Sequence, residues 1–83
     1  MEELLFTGKS ATHAQMMKRV LDKSGIAARI VRPDINITHG NCSYAVKISQ
    51  MYFGEAVEVL KRSGIMPVRA VLVYGNGYRE ISI

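Results

Sequence analysis

A seven-residue segment occurs twice in this chain at a spacing of 39 residues, and it restricts the fold more than any other feature. Val20–Ile26 reads VLDKSGI and Val59–Ile65 reads VLKRSGI, so five of the seven positions are identical. In both copies a glycine follows a helical pattern, as expected at a helix C-terminus, where glycine adopts the left-handed conformation without strain. The repeat therefore predicts two similar helices that end in the same motif.

The residues before each copy have the apolar spacing of an amphipathic helix. Thr12, followed by Gln15 three residues later, fits a capping box at the start of the first helix, although Ser10 is also a candidate cap. The predicted apolar stripes are Ala14, Met16, Met17, Val20 and Leu21 in the first helix, and Phe53, Ala56, Val57 and Leu60 in the second. Both helices should bury these stripes against a common sheet.

Strand-like segments flank each helix, and a further strand follows the turn at Gly75–Gly77. The predicted strands are Leu4–Thr7, Ala28–Val31, Tyr44–Ile48, Val68–Tyr74 and Tyr78–Ile83. Two βαβ units in succession favour an α+β fold, the ferredoxin-like two-layer sandwich, βαββαβ with an added C-terminal hairpin strand. We expect residues 1–83 to form a single domain of this kind.

The composition restricts where the protein is expected to reside and which partners it is expected to bind. Eleven Lys and Arg residues against seven acidic ones give a net charge of +4, but the basic residues are dispersed, so nucleic acid is not favoured as a partner. No apolar run approaches the roughly 20 residues of a membrane span, and the acidic start does not resemble a signal peptide. One cysteine and no export signal predict a protein of the reducing cytoplasm.

The single cysteine, Cys42, is the one candidate reactive centre. It lies in the loop His39-Gly40-Asn41-Cys42-Ser43, just before the predicted third strand. In the predicted topology that strand runs antiparallel to the first, so its start is next to the N-terminus of the first helix. Helix N–H groups favour an anion such as a thiolate, and Lys9, His13 and His39 are candidates for adding positive charge. Ser10 and Thr12 would contribute at the same helix start.

Each of these residues also has a structural interpretation. Cys42 fits a small buried apolar residue, and His39 fits an ordinary surface histidine. The segment Gly8-Lys9-Ser10 lacks the upstream glycine of a P-loop, so that motif is rejected. A lone thiol also cannot supply the paired cysteines of a metal site, and no metal ligand set is predicted.

Several segments resemble the selenium/sulfur carrier protein-like family of small domains. They are Leu5–Thr7, His13-Ala14, Leu21 with Gly25-Ile26, Arg29–Pro33, and Gly40–Cys42 followed by Ala45–Lys47. The family usually has glycine after the cysteine, where this chain has Ser43. The resemblance covers about Leu4 to Ile65 and implies that Cys42 is a carrier thiol in a ferredoxin-like domain.

The resemblance implies an accessory protein rather than an enzyme. Cys42 would hold sulfur or selenium as a persulfide or selenosulfide, with a cysteine desulfurase-type donor and an acceptor protein as partners and no cofactor of its own. The alternative from the sequence is a non-catalytic ligand- or protein-binding regulatory module that self-associates as a homodimer through its sheet edge. Substitution of Cys42 separates these two hypotheses.

Overall fold

The structure, a computed structural model, describes residues 3–32, 44–75 and 77–81. Along the described chain the elements are β1 (Glu3–Thr7), α1 (Ala11–Lys23), β2 (Arg29–Val31), β3 (Ala45–Ser49), a 3-10 turn (Gln50–Tyr52), α2 (Phe53–Ser63), β4 (Arg69–Tyr74) and β5 (Gly77–Ile81). Each predicted strand is present, and its described ends differ from the prediction by at most one residue; Ser82 and Ile83 of the predicted last strand lie outside the described residues. The order strand, helix, strand, strand, helix, strand, strand is therefore confirmed.

The five strands of the described chain form one antiparallel sheet in the order β2-β3-β1-β4-β5. The central strand β1 pairs with β3 through Thr7 and Ala45 and with β4 through Thr7 and Arg69. Its consecutive apolar residues Leu4 and Leu5 are buried on opposite faces, as a strand in the middle of a sheet requires. The result is a small α+β fold of sheet and two helices, compatible with a ferredoxin-like sandwich.

The core lies between the sheet and the two helices. Its buried members come from every layer: Leu4, Phe6, Ala14, Met17, Leu21, Ile26, Val46, Ile48, Ala56, Leu60 and Ala70. A smaller cluster on the opposite face of the sheet contains Leu5, Ala45 and Val71, with Val31 and Val73 packed against them. The helices thus cover one face, and the second face carries its own apolar patch.

The repeated segment ends both helices in the same way. The Ile26 N–H donates to Leu21 O at 2.9 Å, and the Ile65 N–H donates to Leu60 O at 3.0 Å. These bonds require a left-handed residue between them, and the glycines there have φ values of 82° at Gly25 and 72° at Gly64. The repeat therefore encodes two equivalent helix ends, as its sequence predicts.

Two expectations for α1 are wrong. The helix begins at Ala11, and its cap is the extended residue Ser10, whose hydroxyl accepts the His13 N–H at 3.2 Å. Thr12 therefore lies inside the first turn and cannot form the expected capping box with Gln15. Met16 is 44% exposed, because burying Met17 completely turns the preceding position toward solvent.

No helix in residues 3–32, 44–75 or 77–81 combines the length and apolar character needed to cross a membrane.

Candidate functional site

The end of β1 and the loop that follows it meet the residues just before β3 and β4 at one end of the sheet. The Gly8 N–H donates to Tyr44 O at 3.2 Å, and the Val68 N–H donates to Thr7 O at 2.9 Å. We call this region the β1 exit and define it as residues 7–13 with Tyr44, Val68 and Arg69. The predicted proximity of the β3 start to the α1 N-terminus is confirmed for the described residues.

The predicted carrier thiol itself lies outside the described residues. Cys42 belongs to residues 33–43, and the same is true of its loop neighbours His39, Gly40, Asn41 and Ser43. Their roles stay predictions. The nearest described residue along the chain is Tyr44, two positions after Cys42, and its carbonyl oxygen accepts the Gly8 N–H.

The four predicted anion-stabilising residues, Lys9, Ser10, Thr12 and His13, all lie at the β1 exit. Ser10 caps α1, and the His13 Nδ1 accepts the Lys9 backbone N–H at 2.8 Å. This bond holds the Lys9 backbone against the first turn of α1. His13 therefore orders the loop here, and Lys9 supplies the cationic side chain of the segment.

Gly8 allows this loop to lie close to the helix. A Cβ at Gly8 would lie 3.2 Å from Ala14 N and 3.3 Å from Ser10 O, both backbone atoms. Those two atoms are joined by the first hydrogen bond of α1, with the Ala14 N–H donating to Ser10 O at 3.0 Å. Because Gly8 has no side chain, the first turn of α1 can lie this close to the end of β1.

The first turn of α1 has backbone N–H groups that remain available to an anion. Ser10 satisfies the N–H groups of His13 and Ala14 through its hydroxyl and its carbonyl oxygen. Among the described residues, the N–H groups of Ala11 and Thr12 have no hydrogen-bond acceptor. Unpaired N–H groups at a helix N-terminus, with the positive end of the helix dipole, attract negative charge.

Arg69 is a second cationic group at the β1 exit, and sequence reasoning missed it. It pairs with Thr7 across β1 and β4, and its Nη1 lies 3.7 Å from the Glu80 carboxylate. That Nη1 is buried and has no hydrogen-bond partner. The sequence does contain a signal for Arg69: it alternates with Val71 and Val73, so the strand pattern puts a charged residue on an apolar face of the sheet.

Arg32 adds a third cation near Tyr44. Its guanidinium carbon lies 5.5 Å from the centre of the Tyr44 ring, within range of a cation–π interaction. Arg69 lies on the face of the sheet that carries Val71 and Val73, away from the helices, and there it faces Glu80. The group on the α1 side that favours an anion is therefore the first turn of the helix with Lys9 before it.

The described residues contain no group of three or more His, Cys, Asp or Glu side chains that could hold a metal ion. Comparisons with protein-family models, curated proteins and solved structures find no match for this chain.

Proposed function

We propose that this protein is a sulfur or selenium carrier that holds its cargo on Cys42. The observation that carries the proposal is the hydrogen bond from the Gly8 N–H to Tyr44 O, which ties the start of β3 to the α1 N-terminus. Two residues of chain limit the Cα of Cys42 to within about 7 Å of the Tyr44 Cα. In the proposed arrangement the thiol lies on the α1 side of Tyr44, where the N–H groups of Ala11 and Thr12 attract an anion.

The chemistry proposed for Cys42 is transfer between thiols. The Cys42 thiolate attacks the outer sulfur of a persulfide on a donor protein, the donor S–S bond breaks, and the donor thiolate leaves. Cys42 then carries the new S–S bond and ends in a persulfide anion, and a selenosulfide forms in the same way. Positive surroundings favour both the attacking thiolate and the terminal anion, and we propose that Lys9 and the first turn of α1 supply them.

The proposal includes the fold and the compartment. The order β2-β3-β1-β4 supports a ferredoxin-like sandwich, to which β5 adds a hairpin strand. A persulfide carrier also needs a thiol that stays reduced, so we propose the cytoplasm as its location. Its partners would be a cysteine desulfurase-type donor and an acceptor protein, without a cofactor or a nucleic acid.

The direct test is loading by a donor enzyme followed by mass spectrometry. Incubation with cysteine desulfurases and cysteine should add about 32 Da per sulfur atom to the wild-type chain and nothing to Cys42→Ser. Absence of the adduct with several donors would reject the carrier function.

A charge-matched pair of variants tests the surroundings of the thiol. Lys9→Gln should slow alkylation of Cys42 at neutral pH, because it removes the cation that precedes the first turn of α1. Arg79→Gln removes the same charge from β5, an exposed edge strand, and should leave the rate unchanged. Equal rates in both variants would show that Lys9 does not act on the thiol.

The alternative function is a self-associating binding module. Its specific support is β5, which is the outer strand of the sheet with Tyr78, Arg79 and Glu80 all exposed. The two charged residues oppose edge-to-edge pairing, since charges are a common protection of exposed strands. Sedimentation equilibrium decides this point: a dimer that persists in Cys42→Ser but is lost in Glu80→Pro would favour the module.

A further inference from the structure

A notch opens between β2 and β3 at the end of the sheet opposite the β1 exit. β2 starts at Arg29, which pairs with Lys47, whereas β3 continues for two more residues to Ser49. The chain before β2 diverges from β3 there. The resulting cavity has a volume of about 370 Å³, with Ala27–Arg29 on one wall and Lys47–Ser49 on the other.

One backbone donor faces this notch. Because Gly8 and Tyr44 form a hydrogen-bonded pair, the alternation of an antiparallel strand directs the N–H of Ser49 away from β1 and toward the β2 side. β2 is too short to supply an acceptor at that position, and the described residues contain none for this N–H. Ser49 therefore offers an unused donor to a ligand.

The charged residues of the notch favour an anion. Lys47 Nζ lies 3.0 Å from the Glu3 carboxylate, so these two charges compensate each other. Arg29 is exposed and makes no ion pair with any described residue. A guanidinium presents parallel N–H donors that match the two oxygens of a carboxylate.

The remaining walls are apolar and held in place. Ala28, Ile48 and Tyr52 line the cavity beside the charged groups. The Ala28 N–H donates to the Asp22 carboxylate at 3.3 Å, and Asp22 is fixed in turn by Lys18 at 2.6 Å. This contact ties the chain before β2 to the last turns of α1, so the wall is formed before any ligand binds.

We propose that this notch binds a small monocarboxylate with an apolar body. The carboxylate pairs with Arg29 and accepts the Ser49 N–H, and the apolar body lies against Ala28, Ile48 and Tyr52. The volume is at the lower end of the range for small-molecule sites, which limits the ligand to about one ring or a short aliphatic chain. This site goes beyond the carrier function, since the length of β3 separates it from the β1 exit by about 13 Å.

Amide NMR titration with three probes that share one ring tests the proposal. Phenylacetate should shift the amides of Ala28, Arg29 and Ser49 in a saturable way. Neutral phenylacetamide and cationic phenethylammonium should shift them at least about tenfold more weakly, since neither pairs with a guanidinium. Equal responses to all three probes, or no response to phenylacetate, would overturn the proposal.

Two charge-matched variants locate the binding. Arg29→Gln should weaken phenylacetate binding about tenfold, whereas Lys61→Gln, an exposed charge on α2 that does not line the notch, should not. Unchanged binding in Arg29→Gln, or equal losses in both variants, would contradict the assignment. Cys42→Ser should bind phenylacetate like the wild type. The binding experiment therefore tests this site independently of the carrier function.

Discussion

Substitution of Gly8 by alanine tests the packing that forms the β1 exit. The new Cβ would lie 3.2 Å from Ala14 N, 3.3 Å from Ser10 O and 3.4 Å from Met17 Cε. The two closest atoms belong to the backbone and are bonded to each other, so a side-chain rotation cannot relieve the contact. The first turn of α1 must move away from β1 by a few tenths of an ångström.

The expected loss of stability follows from two opposing effects. Overpacking at a tight site costs about 1–3 kcal/mol, and the reduced entropy of the unfolded chain returns about 0.4–1 kcal/mol. Gly8→Ala should therefore lower the free energy of unfolding by about 1–2 kcal/mol. For a chain of this size each kcal/mol corresponds to a decrease in Tm of about 4–8 °C.

Urea unfolding and thermal melting measure this loss, and Gly54→Ala is the matched control. A Cβ at Gly54 meets no atom within 4 Å, and the residue lies in the first turn of α2. Alanine should stabilise that helix by up to about 1 kcal/mol. If Gly8→Ala were as stable as the wild type, the close approach of β1 to α1 would be refuted.

Three further predictions concern the rest of the fold. Met17→Ala should cost about 2–5 kcal/mol in urea unfolding, whereas exposed Met16→Ala should change stability by less than about 0.5 kcal/mol. Gly25→Ala and Gly64→Ala should each cost about 1–2 kcal/mol, because both glycines have positive φ. The hydrogen bond from Lys18 lowers the pKa of Asp22 below its ordinary 3.8, and the Ala28 N–H adds to the effect. The Asp22 carboxylate therefore stabilises the fold above that pH, and its contribution is lost as the pH falls below 3.8. The free energy of unfolding measured between pH 2 and 5 should show this pH dependence in the wild type and lack it in Asp22→Asn.

The sequence predicts the fold in detail because the signals are local and repeated. Two copies of one helix-ending motif, alternating strands and a Gly-Asn-Gly turn predict both helix ends and the described strand ends to within a residue. The start of α1 and the 3-10 turn before α2 did not follow from them. The antiparallel pairing of β1 with β3 then follows from topology. This pairing is also the part of the candidate site that reasoning from sequence recovered.

The missed features depend on side-chain directions in three dimensions. Ser10 and Thr12 are equally good caps by composition, and in the structure the cap is the extended residue Ser10, whose hydroxyl accepts the His13 N–H. His13 acts as an acceptor for the Lys9 N–H, which a charge count cannot reveal. Arg69 comes from a strand more than 25 residues beyond Cys42 in the chain, so only the sheet brings it to the β1 exit.

The most direct test of the account is the pH dependence of Cys42 alkylation in the folded protein. The cationic β1 exit and the free N–H groups of α1 predict that the rate reaches half its maximum well below pH 8.5, the approximate value for an ordinary free cysteine. The same chain in denaturing urea supplies the reference and should titrate near pH 8.5. A folded-state midpoint at or above the urea midpoint would contradict the account and leave Cys42 as a structural residue.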